Sequence, residues 1–98
     1  MAYLFSAEKR GDQDLPVVHR FLIQFDLFEF FPVEVSETAL TLGVSIPFRS
    51  MDDPRFEHDL QEVMTYLISN QEFNVIDLYT GNPILVEHIS GLAKRISN

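Results

Sequence analysis

Leu40-Thr41-Leu42-Gly43-Val44-Ser45-Ile46-Pro47-Phe48 is the stretch on which the fold turns. Its even positions are all apolar and its odd positions are Thr, Gly, Ser and Pro, a period of two that makes it a half-buried strand, because successive side chains of a strand point to opposite faces. A strand with one apolar face needs a second layer to bury it. Toward the N-terminus, Val17 to Phe31 has apolar odd positions at Val17, Phe21, Ile23, Phe25 and Leu27, interrupted by His19, with Arg20, Gln24 and Asp26 on the other parity. This predicts a second strand. Val18, Phe21, Leu22, Phe25 and Phe28 also recur at helical spacing, but the polar residues spread round a helical wheel and leave no solvent face, and aromatic and β-branched enrichment favours the strand. Phe31 to Glu37 then carries the reversal that pairs the two runs antiparallel, with Ser36-Glu37 as its turn. Tyr3 to Phe5 adds a short edge strand, and Glu8 to Asp14 reads as loop.

Toward the C-terminus, Asp53-Pro54 reads as a helix start, with an aspartate N-cap and a proline where its missing N–H costs nothing. Phe56, Leu60, Val63, Met64, Leu67 and Ile68 then mark one face of an amphipathic helix ending near Asn70. Phe73 to Tyr79 alternates weakly and reads as one more strand. Thr80-Gly81-Asn82-Pro83 repeats the cap-then-proline pattern ahead of Ile84, Leu85, His88, Ile89, Leu92 and Ile96, a second amphipathic helix closed by Lys94 and Arg95, where cations suit the helix dipole. The expectation is an α+β fold, an antiparallel sheet of three or four strands packed against two amphipathic helices, as a single domain over residues 1–98. A chain of 98 residues, 46% hydrophobic and 22% charged, has the size of one domain and too much apolar surface to stay disordered.

The charge is lopsided. There are 15 acids against 7 Lys and Arg, a formal net of −8. From Asp26 to Glu62 there are nine acids against only Arg49 and Arg55, which leaves −7 in that segment. A phosphate backbone is repelled by such a molecule, so nucleic acid is a poor partner. With no cysteine, disulfides, thiolate metal sites and cysteine nucleophiles are excluded. No apolar run approaches the roughly 20 residues that span a bilayer, and no secretory leader is visible, so a cytoplasmic protein is expected.

Catalytic patterns are missing. His19, His58 and His88 fall on three different elements and lack the spacing that places two imidazoles on one helix face; His58 and Glu62 do share an i, i+4 relation. His88 lies toward the apolar stripe of its helix and reads as a hydrogen-bonded residue at the core margin. No nucleophile elbow surrounds Ser45 or Ser50, and no glycine-rich phosphate loop occurs. The expectation is therefore a non-enzyme without cofactor or metal. Glu37 to Ser45, with an alanine ahead of Leu42-Gly43-Val44-Ser45, resembles the turn of a helix-turn-helix. That resemblance implies Gly43 as the turn, Ile46 to Met51 as the start of a recognition helix, and a DNA-binding regulator.

What remains is surface chemistry. Asp52, Asp53, Glu57, Asp59 and Glu62, joined by Glu29, Glu34 and Glu37, are expected to line up as one anionic patch that engages the Lys and Arg side chains of a basic protein. This is how an inhibitor or immunity-type protein blocks a nucleic-acid-binding groove. The phenylalanines offer a second surface: if Phe28, Phe30 and Phe31 stay exposed, they form a patch suited to homodimerisation.

Overall fold

A computed structural model describes residues 1–11 and 14–97. The chain runs β1 (Ala2–Arg10), α1 (Leu15–Leu22), β2 (Glu29–Val35), β3 (Ala39–Pro47), α2 (Phe56–Thr65), β4 (Asn74–Asp77) and α3 (Ile89–Ser97). Short 3-10 turns at Phe48–Asp52 and Val86–His88 precede α2 and α3, and a π-type turn at Tyr66–Asn70 extends α2. The result is an α+β fold in which three helices pack against one antiparallel sheet of order β2-β3-β1-β4.

The alternating stretch is β3, as its period requires. Leu40, Leu42, Val44 and Ile46 enter the core, joined by Phe5 and Ala7 of β1 and Val75 of β4. On the other face the paired residues Ile76, Ser6, Gly43 and Phe31 form a row across all four strands. Gly43 leaves the space that the Phe31 ring occupies: a Cβ there would collide with the ring, which would have to swing aside. Phe56, Leu60, Val63, Met64 and Leu67 bring α2 and the following turn onto the inner face, and Leu92 and Ala93 bring α3 to the same core.

Several expectations are corrected. Val17 to Phe31 is not one strand: residues 15–22 are α1, and only from Glu29 does the chain become extended. Asp14 accepts from the Val17 N–H at the N-cap, Pro16 occupies the first turn, and Val18 and Leu22 bury against the core. Of the polar residues that argued against a helix, Arg20 is exposed on α1 and Gln24 and Asp26 lie beyond its end, while Phe21 stacks on Tyr66 with ring centroids 3.7 Å apart. Tyr3 to Phe5 is the start of a nine-residue interior strand. That strand includes Glu8 to Arg10, of the segment expected as loop; Asp12 and Gln13 lie outside the described residues. The sheet therefore carries three helices instead of two.

The reversal after Phe31 comes later than expected, since β2 continues to Val35. The Ser36 hydroxyl then accepts from the N–H groups of Thr38 and Ala39, placing the turn at Ser36-Glu37 as the sequence suggested. Asp53 does not cap α2; its carboxylate accepts from the Arg55 N–H in a turn that ends one residue before the helix. Thr80 to Pro83 does not start a helix either. The Asp77 carboxylate takes the N–H groups of Tyr79 and Thr80, Gly81 adopts φ +74°, and Pro83 bridges back to Ile76, so α3 begins only after Val86–His88. The helix-turn-helix resemblance fails in the structure, because Gly43 and Ile46 lie inside β3 and no recognition helix follows.

Candidate functional site

The acids fall into two groups at opposite ends of β3. Glu34 and Glu37 flank the β2–β3 turn beside Ala39, whereas Asp52 and Asp53 follow the far end at Pro47. A nine-residue strand at about 3.3 Å per residue separates them by roughly 26 Å. The linear cluster in the sequence is thus no single patch in space.

At the Pro47 end the carboxylates gather round the start of α2. Arg55 sits among them, its guanidinium 3.1 Å from Asp53 and 3.3 Å from Asp26. These hydrogen bonds hold the Asp53 carboxyl below the usual carboxylate range and push the arginine up. Lys94 of α3 lines a cleft that also contains Asp53 and Glu57. Asp52, Glu57 and Glu62 are exposed and Asp59 is half-buried. Glu62 lies 3.7 Å from His58, both on the solvent face of α2, the i, i+4 relation expected from sequence. Among the described residues no group of three or more His, Asp or Glu is arranged to hold a metal ion. His88 is half-buried, and its Nδ1 accepts from the Leu85 N–H at 3.0 Å.

The phenylalanine patch is divided by the fold. Phe28 is core at 5% exposure, packed near Phe56 and Phe30, so it cannot contribute to a surface. Phe30 is half-buried and Phe31 is 45% exposed. Sequence reasoning placed Phe30 and Phe31 on a strand but missed that it continues to Val35 and lies at the edge of the sheet. β2 is an edge strand with six of its seven residues exposed, among them Val33 at 64% and Val35 at 54%. Beside it, between β2 and α1, lies an apolar groove of about 440 Å³ lined by Leu15, Val18, Leu22, Phe30, Pro32 and Leu42, with His19 as its one ionisable side chain. Its volume lies within the range of about 300–1,000 Å³ typical of ligand sites. The alternation of β2 was concealed in the sequence by its bulge.

No protein-family model, curated protein or solved structure matches this chain. Function must therefore be argued from its own geometry. No helix among the described residues is long and apolar enough to cross a membrane.

One further polar centre is buried. Asp77, 2% exposed, accepts from the Tyr3 hydroxyl at 2.6 Å and from the Tyr79 and Thr80 N–H groups at 2.8 and 3.2 Å. Burial, helped by the adjoining carboxylate, pushes the Tyr3 phenol up to about 12. By holding Tyr3 of β1 and the N–H groups of the turn after β4 at once, the Asp77 carboxylate acts as a structural brace.

Proposed function

We propose that this protein is a non-enzymatic binding module for a basic protein surface, acting as an inhibitor that occupies its partner's cationic groove. The observation that carries the reading is the shortage of internal cations to neutralise its carboxylates. Among the described residues, ion pairs engage Asp26 and Asp53 with Arg55 and Glu8 with Arg10, while Glu62 lies 3.7 Å from the His58 imidazole. Asp52, Glu57, Glu29, Glu34 and Glu37 are exposed and lie in no ion pair among these. Unpaired surface charge contributes little to stability, but it steers association with a complementary surface and raises its rate.

Affinity capture from the source cell, followed by binding kinetics with the purified partner, tests this. The partner should be basic, and its association rate should fall about tenfold or more between low and physiological ionic strength, as electrostatic steering does. Asp52→Lys combined with Glu57→Lys should lower the association rate similarly without unfolding the chain, because both side chains are exposed. A partner whose association ignores both salt and these reversals would refute the proposal.

A further inference from the structure

The two edges of the sheet are built differently. Beyond β4 the chain closes its own edge: Asp77 N–H donates to the Asn82 carbonyl, Ile84 N–H donates to the Val75 carbonyl, and Pro83 bridges Ile76. Among the described residues no strand pairs with the outer edge of β2, and six of its seven residues are exposed. An open edge presents unpaired backbone donors and acceptors, a template for another strand.

The side chains of β2 then say which strand would fit. Phe30 and Pro32 pair with Val44 and Leu42, so they face inward, where they line the groove. Glu29 pairs with Ser45 on the open face. The bulge at Val33 shifts the register by one residue, so that Glu34 lies opposite Thr41 and joins Glu29 on that face. Without it Val33 would lie opposite Thr41 and Glu34 would face inward. A strand laid along β2 would thus meet an apolar groove on one side and, on the other, two carboxylates with the exposed Phe31 ring between them. Two copies of this chain paired edge to edge would set Glu29 and Glu34 against like charges, with −8 on each molecule. Pro32 removes one donor N–H, so the ladder of any added strand is interrupted at that position.

We propose that the β2 edge receives an extended segment of the partner as a fifth strand, with apolar side chains alternating with Lys or Arg. The apolar set enters the groove between α1 and β2, and the basic set meets Glu29 and Glu34. Main-chain pairing gives affinity and the alternation gives specificity. This inference rests on the reading above that the partner is basic.

A randomised displayed-peptide library sorted against the full chain tests it. Enriched peptides should alternate apolar and basic residues and should slow hydrogen exchange at amides of Glu29–Val35. They should lose about tenfold or more in affinity on Glu29→Lys with Glu34→Lys, both exposed positions that leave the core untouched. Leu15→Gln at the groove should weaken them as well. Basic peptides that ignore the Glu29 and Glu34 reversals but respond to Asp52→Lys and Glu57→Lys would overturn the edge inference and leave the basic-partner reading standing. Enrichment of neutral or acidic peptides would overturn both. No enrichment, or a chain that sediments as a dimer with its β2 amides already protected, would overturn the edge inference alone.

Discussion

Replacing Asp77 with alanine removes the acceptor of three hydrogen bonds, and the structure allows its cost to be apportioned. The Tyr3 hydroxyl loses a charged acceptor 2.6 Å away, and hydrogen bonds to charged groups contribute about 1.5–3 kcal/mol each. Tyr3 is half-buried, which favours the lower end. The Tyr79 and Thr80 N–H groups belong to an exposed turn, where water takes over as acceptor, so together they add about 1 kcal/mol. Removing a carboxylate that is 2% exposed returns part of its desolvation penalty. The net loss for Asp77→Ala is then about 2 kcal/mol, a large fraction of the roughly 5–15 kcal/mol of a folded domain. Asp77→Asn keeps an acceptor for the turn and offers its amide to the phenol, which accepts in its place, so it should cost about 1 kcal/mol. Urea unfolding followed by circular dichroism suits a chain without tryptophan. A double-mutant cycle with Tyr3→Phe should return a coupling of about 1 kcal/mol. If Asp77→Ala costs no more than Asp77→Asn, the carboxylate does not brace β1 against the turn.

Three further outcomes are expected. The Tyr3 contribution to stability should hold below pH 10 and be lost as pH rises toward 12, because the phenol ionises near 10.0 in the unfolded chain and only near 12 in the folded one; solvent screening of a half-buried ring holds that loss to about 1 kcal/mol, and a urea series repeated with Tyr3→Phe should show a smaller fall, the remainder including the Tyr66 phenol, which burial also pushes up. Gly43→Ala should swing the Phe31 ring off β3, visible as new aromatic cross-peaks by NMR, at a cost below about 1 kcal/mol, since the ring is the far end of an exposed side chain and alanine is the better strand residue; a loss of several kcal/mol would mean the ring has nowhere to go. Leu60→Ala, at a position 1% exposed, should cost about 2–5 kcal/mol and bring the chain close to unfolding in a thermal melt.

Which parts of this molecule were legible in the sequence follows from how each element is stabilised. β3 was, because its period-two pattern is fixed by burial on one face, and so was the α2 stripe from Phe56 to Leu67. α1 was not. Its eight residues carry an exposed Val17 beside the buried Val18, and the chain leaves it through Ile23, 62% exposed, so hydrophobicity alone does not draw its face. The signal that marks it is Asp14 with Pro16, the same start logic that was credited at Asp53-Pro54 and at Thr80 to Pro83. At those two sites the aspartate or threonine closes a turn instead. β1 was undervalued because it ends in Glu8-Lys9-Arg10. Those charges are accommodated in an interior strand by the Glu8–Arg10 pair and by Lys9 lying 5.9 Å from the Phe73 ring centre. Of the candidate site, the residue types were legible, and so was the strand from Leu40 to Phe48 that parts Glu37 from Asp52; what the sequence did not show is that β2 lies along an open edge between the two acidic groups.

That separation gives the β2 edge its importance. Glu29 lies opposite Ser45, toward the end of β3 where Asp52 and Asp53 follow, and Glu34 lies opposite Thr41, toward Glu37. β2 therefore runs from one acidic group to the other, about 20 Å over seven residues. An extended basic segment along this edge would contact both groups and the groove between, which neither group reaches alone. The two kinds of contact should also part kinetically. Exposed carboxylates act on the encounter, so reversing Asp52 or Glu57 should slow association and leave dissociation nearly unchanged. Buried apolar anchors act after docking, so Leu15→Gln in the groove should speed dissociation and leave association nearly unchanged. A partner whose two rates respond in the opposite sense would be held by the carboxylates and merely guided by the groove.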